Sequence, residues 1–188
     1  MNEEEIKSRL VLLLDSERFA HSLSVQKVAQ ALAQKHKVDF TKASLAGLLH
    51  DCARYMGSAQ LLKKAEELKM EIHPVERLEP KLLHARLSAY VAEKEFKVKD
   101  PEILQAISRH TVGAESMSEL DKVIYLADHI EPSRDFLGVE QVRKLAFEDM
   151  NKAIAECATL MLKALLDKKL PIYPPTLLTR NYYLSYKD

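Results

Sequence analysis

Apolar residues recur at helical spacing along almost the entire chain, and only 4 glycines interrupt it in 188 residues. Phe19, Leu23, Val28 and Leu32 make one such stripe, close to the 3.6-residue period. β-Branched residues seldom cluster, so nothing offers the alternating or continuous runs that strands need. This pattern predicts an all-α chain, folded as a single helical bundle over residues 1–170. The first helix is expected over Glu3–Leu14, and a second is capped by Ser16. A third, capped by Asp39 or Thr41, runs through Leu48 and Leu49 to His50-Asp51. Ser58 starts a fourth and Pro80 a fifth, through His84 to Phe96. Asp100-Pro101 is an N-cap followed by proline at N1, and that sixth helix ends near His110. Ser118 caps a seventh, stopped by Pro132, and a last pattern runs from Val139 to about Leu166 with a break near Asp149. Pro171, Pro174 and Pro175 oppose further helix, so residues 171–188 are expected as an extended tail packed on the same domain. No internal repeat or domain boundary is apparent.

Charge excludes some functions. There are 28 basic and 28 acidic residues, for a formal net charge of +0. A broad electrostatic grip on nucleic acid is not expected, whereas a small anionic ligand needs only a few local cations. The N-terminus is acidic and lacks the basic and apolar regions of a signal peptide. Apolar runs such as Leu10–Leu14 are far too short to span a bilayer, so no membrane partner is expected. Two cysteines, Cys52 and Cys157, cannot define a disulfide framework; reduced thiols in a cytoplasmic setting are the expectation. Nothing fixes the oligomeric state, and a homodimer is compatible with the sequence.

The chemistry concentrates in a few histidines and aspartates. His50 is followed directly by Asp51 at the end of the apolar run SLAGLLHD. A carboxylate beside an imidazole at the end of a buried helix is costly unless paired or metal-bound. Together they suit a borderline divalent ion such as iron, manganese, cobalt or zinc. His21 follows the apolar Phe19-Ala20 pair, Asp128 interrupts the stripe VIYLADHI, and His84 and His110 lie on or at the ends of other expected helices. Side chains that converge at one end of a bundle are natural ligands. His36, His73 and His129 are read as surface or core residues, and Cys52 as a small core residue.

In this order the residues resemble the HD-domain superfamily of metal-dependent phosphohydrolases, with His21, then His50-Asp51, then Asp128 matching its H…HD…D signature. The segments LAGLLHDCAR, LLHARLSA, AISRHTVG and MSELDKVIYLADHIEPSR further resemble the bacterial YqeK family of symmetrical diadenosine tetraphosphate hydrolases. The resemblance covers about Arg18 to Arg143 and implies His21, His50, Asp51 and Asp128 as primary iron ligands. One or two iron ions are expected, with manganese or cobalt as substitutes. Asp51 and Asp128 are the candidate catalytic carboxylates, either of which is placed to orient the nucleophilic water. A divalent ion lowers the pKa of water from near 16 towards roughly 7, so hydroxide can attack phosphorus at neutral pH. His84 and His110 are expected to contact phosphate or complete a second metal site, and Lys81 and Arg134 to hold the polyphosphate. The tail is the candidate base pocket, with Pro171, Ile172, Tyr173, Thr176 and Tyr182 as its contacts. Open alternatives are another HD-type nucleotide phosphohydrolase, a non-catalytic nucleotide-binding metal module, and a helical adaptor without metal.

Overall fold

A computed structural model describes residues 1–185. Its helices are α1 (Glu3–Leu13), α2 (Ser16–His36), α3 (Phe40–Leu49), α4 (Ser58–Glu67), α5 (Pro74–Leu78), α6 (His84–Lys94), α7 (Pro101–Arg109), α8 (Glu119–Ile130), α9 (Val139–Glu148), α10 (Met150–Asp167) and α11 (Pro174–Leu184), with a 3₁₀ turn at Pro80–Leu83. No strand occurs among the described residues. The expected helices are all present, and their ends follow from side-chain capping. Asn2 accepts from the Glu5 amide while Glu5 reaches back to the Asn2 amide, each at 2.9 Å. Asp39, Asp100 and Ser118 cap α3, α7 and α8. Asp149 caps α10 at the expected break by accepting from the Asn151 and Lys152 amides.

Three expectations change. Asp15, not Ser16, caps α2, accepting from the Arg18 amide at 2.8 Å. A short helix, α5, precedes Pro80, started by His73, whose Nδ1 accepts from the Val75 amide at 3.1 Å. The tail is not extended: Pro174–Leu184 is helix α11. Pro174 and Pro175 fall in its first turn, where amides have no intrahelical acceptor, so proline starts a helix there instead of breaking it.

α8 is the axis of the bundle: nine of its twelve residues are buried, Asp128 and Asp121 among them. α2, α3, α7 and α10 pack around it. α2 and α3 approach closely because Gly47 faces α2; a Cβ there would stand 3.1 Å from Gln26 Cα and 3.2 Å from Ala29 Cβ. That closeness brings His21 of α2 against His50 at the end of α3. α11 lies along α10 and clamps the loop after α7. The Thr179 hydroxyl donates to the Val112 carbonyl at 3.0 Å, and the Met117 amide donates to the Tyr183 hydroxyl at 3.0 Å. Gly113, at φ 71°, leaves no room for a side chain, since a Cβ would meet Thr179 Cγ2 at 2.7 Å.

Candidate metal centre and phosphate cleft

The ends of α2, α3, α6, α7 and α8 deliver four imidazoles and two carboxylates to one place. His21 comes from the first half of α2, while His50 and His110 sit just past the ends of α3 and α7. His84 opens α6, and Asp128 lies in the last turn of α8. His21 Nε2 is 3.1 Å from Asp128 Oδ1 and 3.2 Å from His50 Nε2. On the other side of Asp51, His84 Nε2 is 3.2 Å and His110 Nε2 3.7 Å from its Oδ1, and the two Nε2 atoms are 3.1 Å apart. His50 Nε2 lies 3.9 Å from Asp51 Oδ2 and 3.8 Å from Asp128 Oδ1.

The orientation of these rings follows from the backbone. His50, His84 and His110 each direct Nδ1 at the carbonyl three residues earlier, Gly47, Lys81 and Ile107, at 2.7, 2.5 and 2.7 Å. A carbonyl only accepts, so each Nδ1 carries a proton and Nε2 is the atom turned inwards. Burial pushes His50 down, and it pushes His110 down to about 3, so both are neutral imidazoles. The His84 and His110 Nε2 atoms face each other, and the His110 one is a bare acceptor. Thr111 Oγ1, at 3.1 and 3.0 Å from them, donates to just one. Asp51 Oδ1 is buried and makes no hydrogen bond. Lone pairs and an orphaned carboxylate oxygen converging in a buried space are costly unless a cation joins them. The donor set therefore fits divalent metal.

His21 differs. Burial works against its charge, but the hydrogen bond and charge of Asp128 outweigh it, and its pKa is raised. Its Nδ1 faces Glu131 Oε1 at 3.2 Å. Without metal, this imidazolium bridges two carboxylates; a metal would displace its Nε2 proton. Burial opposes ionisation of Asp128, yet the His21 hydrogen bond and nearby positive charge hold it well below the usual carboxylate range. Asp51 is likewise lowered against the effect of burial, because at acid pH His50 and its neighbouring imidazoles take up protons before the carboxylate does and their charge then favours its ionised form.

Sequence reasoning missed several residues here. Glu131 is fully buried and also accepts from Ser24 Oγ at 2.9 Å, from the Ser133 amide at 2.9 Å and from the Ser133 hydroxyl, so it fixes His21 from behind. Arg54 lies one turn after Asp51, its Nε 3.6 Å from Asp51 Oδ2 and without a hydrogen-bond partner. Its signal was its position three residues after Asp51, which returns a side chain to the same face. Thr111 gave no sequence signal, because the return of the loop after α7 decides its place.

Of the expected substrate contacts, His84, His110 and Arg134 join the cluster. Arg134 hydrogen-bonds Asp128 through Nη2 and donates Nε to the Asp128 carbonyl at 2.8 Å. Lys81 is exposed and enters through its carbonyl, which holds His84. Pro171, Ile172, Tyr173, Thr176 and Tyr182 do not line the two clefts that open at Asp51. Tyr173 packs on His73 at 5.3 Å, Tyr182 accepts from the Ser116 hydroxyl at 2.7 Å, and Thr176 is buried. Arg109 pairs with the buried Asp121 at 2.8 Å.

A helical bundle with a buried histidine–aspartate centre beside an arginine-lined cleft is the arrangement of a metal-dependent hydrolase, and the chain belongs to the HD domain family, whose profile matches residues 18–133. Among its relatives, the symmetrical bis(5'-nucleosyl)-tetraphosphatase of Bacillus subtilis (strain 168) is 37% identical, covering 98% of this chain and 99% of that one. The protein of the same name from Staphylococcus aureus (strain NCTC 8325 / PS 47) is 33% identical over 100% of this chain and 97% of its own. The crystal structure of a predicted HD superfamily hydrolase involved in NAD metabolism from Clostridium acetobutylicum matches with a TM-score of 0.95 at 35% identity, covering 100% of this chain and 99% of that one.

Proposed function

We propose that the protein hydrolyses diadenosine tetraphosphate symmetrically to two ADP, with metal held by His21, His50, Asp51 and Asp128 and a second ion held by His84, His110 and Asp51. The observation that carries this reading is Asp51 itself. Its Oδ2 lies 3.9 Å from His50 Nε2 and its Oδ1, without a hydrogen bond, 3.2 Å from His84 Nε2, so this one carboxylate would serve both sets. His84 and His110 thus serve better as metal ligands than as imidazolium contacts to phosphate, because His110 is held neutral. The imidazole-rich set favours iron, with manganese or cobalt as substitutes, over magnesium, which prefers oxygen and its own waters. Ions held there would lower the pKa of water and neutralise charge on the reacting phosphate.

The chain's own groups supply the rest. Arg54 and Arg134 border the centre and offset the negative charge of the phosphates. The Asp51 and Asp128 carboxylates remain ionised and keep acceptor oxygens turned into the site, where they orient water. The oxygen of water bonds to one central phosphorus, and the bridging oxygen leaves with the other. Each half departs as ADP, and the protons of the water pass to solvent. No described helix is long and apolar enough to cross a membrane. Two buried free thiols, Cys52 and Cys157, suit the reducing cytoplasm. The test is to incubate the protein with diadenosine tetraphosphate and ferrous or manganous ion and separate the products by ion exchange. ADP alone is expected; ATP with AMP would overturn the symmetrical register, and no product would overturn the substrate.

A further inference from the structure

Two clefts leave the metal centre in different directions. They share three residues, Asp51, Arg54 and Arg134. The first, of about 630 Å³, runs to the corner between α1 and α2, past Arg18, Ala20, His21 and Ser24 on one side and Glu131–Arg134 on the other. The second, of about 290 Å³, runs past His84 and Thr111 to His129, Phe136 and Met161. These sizes are near those of small-molecule sites, roughly 300–1,000 Å³.

A symmetrical substrate cut at its centre must extend two equal arms from the reacting phosphorus. The geometry points to an assignment that rests on the proposed activity: each cleft takes one nucleoside diphosphate half, and the α1–α2 corner cleft is the subsite of the second half. The ends of the clefts differ in chemistry. The α10 side ends on an aromatic ring and a thioether, which suit the face of a base. The corner cleft has Arg54, Arg134 and Arg18 along it, a buried carboxylate, Glu131, already engaged by His21, Ser24 and Ser133, and the exposed carboxylates of Asp15 and Glu17 at its α1–α2 end. That order suits phosphates followed by ribose hydroxyls, which carboxylates accept from. It contains no Phe, Tyr or Trp ring, and its one imidazole, His21, belongs to the histidine–aspartate cluster. Arg54 lies at the junction, its Nε beside Asp51 but without a hydrogen-bond partner, and bonds phosphates of both halves. The corner cleft therefore reads phosphate and sugar but not the base.

The experiment compares diadenosine tetraphosphate with adenosine 5'-tetraphosphate, which carries a single nucleoside and yields ADP and pyrophosphate by the same central cut. Ala20→Phe puts a ring into the corner cleft from an exposed position on α2. Its ratio of kcat/KM for the two substrates should fall at least tenfold against wild type. Arg18→Ala should lower the same ratio through KM, and stands in if Ala20→Phe does not fold. Replacing one adenine of the substrate by guanine should leave wild-type kcat/KM within about twofold. A ratio within threefold of wild type in the folded variants, with wild type still making ADP from diadenosine tetraphosphate, overturns the two-cleft assignment alone. Absence of ADP from the wild-type reaction overturns the proposed activity and this assignment with it.

Discussion

Gly47→Ala tests how the fold builds the centre. The added methyl would sit 3.1 Å from Gln26 Cα, 3.2 Å from Ala29 Cβ and 3.3 Å from the Gln26 amide nitrogen. Two of these atoms are helix backbone and cannot rotate away, so α2 and α3 must separate by a few tenths of an ångström. Overpacking of this kind costs about 1–3 kcal/mol, while the better helix propensity of alanine returns about 1 kcal/mol. With two backbone contacts the cost should prevail, by up to about 2 kcal/mol, which lowers Tm by up to roughly 8 °C in a chain of this size. The Gly47 carbonyl also fixes the His50 ring, and His21 faces His50 across the same seam. Metal affinity should therefore fall with stability. Thermal unfolding by circular dichroism, with metal content by elemental analysis, measures both. An unchanged or raised Tm with full metal content would refute the idea that this close approach is needed to align the two imidazoles.

Asp51→Ala should lower kcat on the order of a thousandfold or more, about 4 kcal/mol of barrier, with helical content by circular dichroism largely kept; near-normal turnover would remove Asp51 from the centre. Chelation should abolish activity, and ferrous, manganous or cobaltous ion should restore it better than magnesium; full activity in magnesium with no transition metal detectable would contradict the donor set. In the metal-free protein, burial lowers the His110 pKa to about 3, below its unfolded value. The neutral ring is favoured in the fold, so stability should fall as pH drops below about 6.5 and level off near 3. His110→Gln should flatten that slope in thermal scans, and an identical slope in the variant would exclude His110 as its source. Tyr183→Phe leaves the buried Met117 amide without its acceptor and should cost about 1–3 kcal/mol, read as a lower denaturation midpoint in urea; no change would mean that α11 is not held through this bond.

The sequence by itself determined the helices and singled out the candidate ligands. Periodicity, capping residues and scarce glycine are local properties, and they left little but helix for this chain. His50-Asp51 and Asp128 were legible because charge in an apolar stripe has few inexpensive explanations. The ends of elements were less legible: Asp15 and Ser16 are both good caps, and the backbone conformation chooses between adjacent candidates. The prolines of the tail were ambiguous for a similar reason, since the same residue stops a helix from inside and starts one at its first turn. What the tertiary structure alone decided was which side chains meet. Glu131 lies 110 residues from His21 and Thr111 lies 27 from His84, separations at which no periodicity applies. Lys81 was expected to hold the polyphosphate, but it lies in a 3₁₀ turn, and its side chain goes to solvent while its carbonyl holds the His84 ring. Which nitrogens the rings turn inwards depends on their tautomers. Those are set by carbonyls at the ends of α3 and α7 and in the turn before α6, atoms that every sequence has and that only a fold can aim.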